Sequence, residues 1–172
     1  MTVAVEVDVR DLIGRLGASR TAKVEEPIPG MATGLAAVPA DRPVRASLLL
    51  QSLVEGILVS GPVSGDMDLS CARCLRPVGR AFKVEVRELF AEPVRAEPDE
   101  DYLLDPAGVI DIEPMLRDAV VLSMPFSPLC RPDCLGLCPR CGGDRNVGEC
   151  ACEPEQDDRW NVLSRIEFPD ES

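Results

Sequence analysis

The chain has 172 residues, 45% apolar and 28% charged, enough for one domain of ordinary size or a domain with a small metal-held appendage. It has no histidine and only 3% aromatic residues, which removes Ser-His-Asp and Cys-His catalysis, HExxH zinc helices and base-stacking sheets that need several exposed rings. Asp and Glu number 30 against 18 Lys and Arg, a formal charge of −12 that opposes naked nucleic acid and anionic membranes and favours a basic protein partner.

No apolar run approaches the roughly 18 residues of a membrane span, and MTVAVEVDVR lacks the basic-then-apolar order of a secretion signal. The expected location is therefore the cytoplasm. In a reducing compartment, eight cysteines point to metal or redox chemistry rather than to a disulfide framework.

Along the chain, Val3, Val5, Val7 and Val9 alternate with Glu6 and Asp8, the period of a strand with one buried face. DLIGRLG suggests one short helical turn, and Arg20 to Ile28 a second extended segment closed by Pro27, Pro29 and Gly30. Residues 29–43 read as a loop with room for one short strand. VRASLLLQ and LVEGILVSGPV then predict two strands, the second ending at Gly61 and Pro62, and VGRAFKVEVRELF alternates through Phe82, Val84 and Val86.

Residues 91–108 carry Glu92, Glu97, Asp99, Glu100, Asp101 and Asp105 against Arg95, the signature of a solvated loop or of an acidic docking surface. IDIEPMLRDAVVLSMP predicts a helix with Asp111 as N-cap, a buried face of Ile112, Met115, Leu116, Ala119 and Val120, and a stop at Pro125. Strands at such short spacing pair most economically with their neighbours. The expectation is an α+β fold over residues 1–125, mainly an antiparallel curved sheet or partial barrel with a few short helices. Residues 126–172 form a cysteine-rich zinc-binding segment and acidic tail, tied back to Cys71 and Cys74.

The cysteines fall in four local pairs: Cys71 with Cys74, Cys130 with Cys134, Cys138 with Cys141, and Cys150 with Cys152. This is the arithmetic of two tetrahedral four-thiolate sites, so two structural zinc ions are expected. In CPRCGG the glycine after the second cysteine permits the positive φ that such a knuckle needs. Loop closure favours Cys138, Cys141, Cys150 and Cys152 in one site, leaving Cys71, Cys74, Cys130 and Cys134 for the other. A ribbon of Cys71, Cys74, Cys138 and Cys141 is the rival grouping.

Two filled sites would take the formal charge from −12 to about −16. Around the first pair, Arg73, Arg76, Arg80, Lys83 and Arg87 either offset thiolate charge or contact a partner or RNA phosphates. A thiol redox role for Cys71 and Cys74 is a further alternative, although CARC is followed by no clear helix that would lower a thiol pKa. Four thiolates leave zinc no open position for water, so no catalytic constellation is found and the protein is expected not to be an enzyme. GGDRNVG does not link a strand to a helix, which argues against a nucleotide loop.

In order, VEGILVSGPV, CARCLRPV, ELF, IDIEPMLRDAVVLSMPFSPLC, CLGLCPRCGG and DDRWNVL resemble the YceD family of large ribosomal RNA subunit accumulation proteins, in its actinobacterial branch. The resemblance runs from about Val3 to Leu163. It implies a bacterial ribosome biogenesis factor needed for accumulation of 23S ribosomal RNA, often encoded beside a small large-subunit ribosomal protein. Family members without the later cysteines tend to keep the pair matching Cys71 and Cys74, and many actinobacterial relatives carry histidines where this chain has Cys150 and Cys152. The implied partner is a large-subunit ribosomal protein or pre-ribosomal particle; direct RNA contact is disfavoured by the net charge, and no membrane is involved.

Overall fold

The computed structural model describes residues 4–93, 102–148 and 150–152. These form two compact units, Met1–Cys134 and Leu135–Ser172. In the first, the described residues form seven strands and one helix in the order β1 (Glu6–Asp8), β2 (Ser19–Glu26), β3 (Ala36–Ala37), β4 (Val44–Ser52), β5 (Gly56–Ser70), β6 (Pro77–Ala91), β7 (Val109–Asp111) and α1 (Glu113–Ser123).

Alternation sets the faces. In β4, Val44, Ala46, Leu48 and Leu50 are buried while Arg45, Ser47 and Leu49 are exposed, as a period of two requires when one face meets a core. Ile57, Val59, Val63, Met67 and Leu69 of β5 and Phe82, Val86 and Phe90 of β6 supply the same face. All strand pairs of the named elements are antiparallel: β2, β4, β5 and β6 lie side by side, with β3 beside the far end of β5. The described strands close no barrel, since the edge strands β2 and β6 do not pair.

β5 and β6 pair along their full length, from Gly56↔Ala91 to Ser70↔Pro77, so the first cysteine pair sits in the loop of the longest hairpin. Gly61 and Pro62 do not end β5, contrary to the sequence expectation. The β4–β5 ladder skips this point instead, passing from Ala46↔Val63 to Leu49↔Ser60. Pro62 has no N–H to contribute there, and Gly61, at φ 146°, lets the strands approach so closely that a Cβ would meet the Ser47 carbonyl at 2.3 Å.

The α+β expectation of a few short helices reduces to one helix among the described residues in a mostly β unit. DLIGRLG is a turn, in which Leu12 and Ile13 both donate to the Val9 carbonyl. Asp111 is not the N-cap; it ends β7, and Ile112 holds the cap position without a side-chain bond. The Asp111 carboxylate still accepts the Glu113 N–H at 3.0 Å and the Val5 N–H at 3.1 Å, joining the helix start to the N-terminal strand.

The helix buries Met115, Leu116 and Val120 and packs on β6. Glu113, only 2% exposed, is ion-paired with Arg117 one turn on, and Arg117 also donates to the Pro29 carbonyl at 2.9 Å. A buried carboxylate is tolerable because that guanidinium reaches it. Beyond β6, the Tyr102 hydroxyl donates to Asp118 at 2.7 Å and its ring lies 5.4 Å from that of Phe90. The acidic positions Glu97, Asp99, Glu100 and Asp101 lie outside the described residues, as does the tail from residue 153. No helix of the described residues is long and apolar enough to cross a membrane.

Candidate metal centres

The β5–β6 hairpin presents Cys71-Ala72-Arg73-Cys74 as its loop, and the chain leaving α1 brings in Cys130 and Cys134. The Ala72 N–H donates to the Pro128 carbonyl at 2.7 Å, and Arg73 donates to the Cys134 carbonyl at 2.8 Å. The four sulfurs lie within 4.8 Å of one another, with Cys71 to Cys134 at 3.8 Å and Cys74 to Cys130 at 3.6 Å. A tetrahedral four-thiolate site with metal–sulfur bonds of about 2.3 Å has sulfurs about 3.8 Å apart. The donor set therefore fits a metal ion. Cys71, Cys74 and Cys134 are buried and Cys130 is half-buried.

A second quartet is built within residues 135–152. Cys138, Cys141, Cys150 and Cys152 converge within the same 4.8 Å limit, here with Cys141 exposed and only Cys138 buried. Leu137 pairs with Asp144 in an isolated bridge, Arg145 N–H donates to the Gly136 carbonyl at 3.0 Å, and Asn146 Oδ1 accepts the Leu135 N–H at 2.8 Å. The sulfurs thus group as the shorter loop closures favour, and not as the ribbon of Cys71, Cys74, Cys138 and Cys141.

The two CxxC turns share one hydrogen-bond pattern. Cys71 N–H donates to Arg76 O and Leu75 N–H to Cys71 O; Cys138 N–H donates to Gly143 O and Gly142 N–H to Cys138 O, all at 2.8–2.9 Å. After the second cysteine the backbone must turn left-handed. Gly142 does so at φ 70°, as its sequence position suggests; Leu75 does so at φ 60°, where an L side chain is strained.

Backbone N–H groups aimed at a sulfur make the leading thiolate of each turn. Burial pushes the Cys71 thiol up, but the N–H groups of Cys130, Cys74 and Arg73 outweigh it and bring Cys71 to about 6. The N–H groups of Cys141 and Arg140, with Cys150 beside them, bring Cys138 to about 6. Burial and the Cys134 sulfur push Cys130 up to about 12, and the Cys141 sulfur with burial does the same to Cys152. Arg76 N–H pulls Cys74 down, yet burial and the neighbouring sulfurs leave it raised. Crowded thiols that cannot all ionise alone are what a cation relieves.

The five basic residues near Cys74 do not form one patch. Arg73 is spent on the Cys134 carbonyl. Arg76 precedes β6, and Arg80 lies opposite Met67 on the core-side face of β6. Lys83 and Arg87 stand on the other face, opposite Ser64 and Ser60. There the register also places Lys23 and Arg45, with Arg45 bound to Glu25 at 2.9 Å. Lys23 and Arg45 join that face through strand register alone, which no local pattern reveals.

No solved structure matches this chain. An uncharacterized protein of Mycobacterium tuberculosis is 44% identical over 129 residues, covering 72% of this chain and 61% of the relative. A protein of Zea mays named large ribosomal RNA subunit accumulation protein YCED homolog 1, chloroplastic, is 28% identical over 128 residues, covering 56% of this chain and 44% of its own. Its Arabidopsis thaliana namesake is 26% identical over 151 residues, covering 70% and 47%. The chain thus spans about three fifths of the mycobacterial relative's length. The family model described as large ribosomal RNA subunit accumulation protein YceD matches residues 59–167, from near the start of β5 through both cysteine quartets, and the chain belongs to that family.

Proposed function

We propose that the protein is a non-enzymatic, cytoplasmic ribosome biogenesis factor that supports accumulation of large-subunit ribosomal RNA by holding a basic ribosomal protein or an assembly intermediate. Membership of the YceD family is the observation that carries this reading. The charge of −12 supports a basic protein over naked RNA as the direct contact. Glu92 to Asp105 and Glu153, Glu155, Asp157 and Asp158 supply docking charge. At low salt, immobilised protein should retain a basic large-subunit ribosomal protein and release it at high salt; absence of capture at low salt would sink the reading.

Each quartet holds one structural zinc ion in this proposal. Zinc would neutralise half of four thiolates and fix two loops, and with all four positions taken it leaves no site for a reacting water. Cys71 and Cys74 sulfurs lie beside those of Cys134 and Cys130, which supports ligation over a redox pair. Native mass spectrometry of freshly reduced protein should show a mass two zinc ions above the apo chain, lost on chelation. A direct RNA contact through Lys83 and Arg87 is the second reading, favoured by Lys23 and Arg45 on the same sheet face. It requires that RNA binding weaken steeply with salt and with Lys83→Ala and Arg87→Ala.

A further inference from the structure

β6 pairs with β5 on one side and forms an edge of the sheet on the other. Its phase is fixed at the far end. There Ala91 N–H donates to the Tyr102 carbonyl at 3.0 Å and Ala91 O accepts the Leu104 N–H at 2.9 Å, in a short parallel bridge on the side away from β5. Backbone groups alternate sides along a strand, and the β5–β6 register runs unbroken. Leu89, Arg87, Glu85, Lys83, Ala81 and Gly79 therefore also turn their N–H and C=O groups away from β5. Among the described residues no hydrogen bond reaches these outward groups.

Natural sheets blunt such an edge by keeping it short, bulging it, or placing proline or charge in it. β6 has 15 residues, no bulge against β5, and proline only at its first position. Charge remains, and the order of the charges decides what it excludes. Arg80, Lys83, Glu85 and Glu88 are exposed and make no ion pair among the described residues. The positions opposite them on β5 are Met67, Ser64, Pro62 and Val59, which offer no counter-charge.

An antiparallel copy of the same strand supplies one in a single register. Centred on Glu85, the copy sets Glu85 against itself and Lys83 against Arg87, like charges in both places. Centred on Val86, it matches Glu85 with Arg87 but sets Glu88 against apolar Val84. Centred on Val84, it sets Lys83 against Glu85, Arg80 against Glu88, Phe82 against Val86 and Val84 against its own symmetry mate. Opposite charges and apolar pairs facing each other across strands stabilise a ladder, and like charges oppose it.

We propose that the outer edge of β6 is a self-recognition site: a second copy of the chain docks antiparallel about a two-fold axis at Val84 and joins the two sheets through the backbone of residues 79–89. Each outward N–H and C=O of that stretch gains a partner, and every unlike pair of positions is made twice. The charge of −12 makes two copies repel at long range, so association depends on this local match. Capture of a basic protein neither requires this dimer nor is excluded by it.

The test is sedimentation equilibrium of the full, freshly reduced chain, which should show a reversible monomer–dimer equilibrium. Lys83→Glu and Glu85→Lys should each raise the dissociation constant about tenfold, because the two-fold repeats each like-charge contact. The double variant carrying both changes should return to the parent value. Ala81→Pro removes one outward N–H without touching the β5 ladder and should weaken the dimer while the monomer stays folded by circular dichroism. Amide exchange locates the interface: Ala81, Lys83, Glu85 and Arg87 should exchange about tenfold more slowly in concentrated than in dilute parent, and equally fast at both in Lys83→Glu. A parent chain that is monomeric at its highest soluble concentration overturns the proposal. So does a dimer indifferent to either single charge change, one that the double variant fails to restore, or one in which those four amides exchange as in the monomer.

Discussion

The two cysteine quartets are chemically alike and differ in what surrounds them. Cys71, Cys74, Cys130 and Cys134 sit where a hairpin of two 15-residue strands and the chain leaving α1 already meet, in a unit whose core includes Leu48, Leu50, Val59, Met67, Phe90 and Leu116. The described residues of 135–152 form no apolar cluster of their own and rely on a few turns around Cys138, Cys141, Cys150 and Cys152. The same ligand set would therefore do different work. In the first unit a metal would pin what burial has folded; in the second it would replace a core.

Removing metal should separate them most widely. Structural zinc contributes on the order of 10–16 kcal/mol in small metal-folded peptides. On chelation, hydrogen exchange in residues 135–152 should rise to unprotected rates while β4, β5 and β6 keep their slow amides. Simultaneous loss of protection in both would show that the sheet unit also depends on metal. The converse is Arg117→Met, which strands the buried Glu113 carboxylate and should cost about 3–5 kcal/mol in chemical denaturation of the sheet unit. Both ions should remain on the native variant, since neither residue touches a sulfur.

Thiol titration sharpens the contrast further. Cys71 and Cys138 are each lowered from 9.0 to about 6, so each favours the folded state fully above pH 9 and loses that contribution as pH falls through about 6. In metal-free protein the two should part. A variant with all four second-quartet cysteines changed to Ser should still show a thiolate absorbance step near pH 6 from Cys71. The reciprocal variant should titrate near 9, because the N–H groups around Cys138 no longer have a fixed arrangement. A step near 6 in both would mean that residues 135–152 hold their turns without metal.

The residues that were legible from sequence are those whose meaning is local. The apolar run in Val44–Ser52, period-two alternation in Pro77–Ala91, helical spacing in Met115, Leu116 and Val120, and the pairwise cysteine spacing all reappear as elements or quartets. What escaped depends on partners far along the chain. Gly61-Pro62 reads as a stop until the skipped β4 ladder accommodates it, β7 is too short to show a period, and Lys23 and Arg45 share a sheet face with Lys83 only through register. A cleft beside Leu16 and Leu53 likewise joins residues about forty positions apart.

Leu75 escaped for a different reason: nothing in its residue type announces a left-handed backbone. The knuckle hydrogen bonds demand that conformation at the position after the second cysteine, and Gly142 meets the same demand without a Cβ. Leu75 is largely exposed, so replacing it removes little packing. Leu75→Gly should relieve about 1 kcal/mol of backbone strain, against roughly 0.5–1 kcal/mol of added unfolded-chain entropy, and leave stability within about 0.5 kcal/mol of the parent. Gly142→Ala should impose that strain where no apolar core offsets it, weakening metal retention at the second quartet about 5- to 10-fold in competition with a chelator. If Gly142→Ala retains metal as well as Leu75→Gly does, the left-handed turn is not what holds the second knuckle in shape, and its four sulfurs alone must set the geometry.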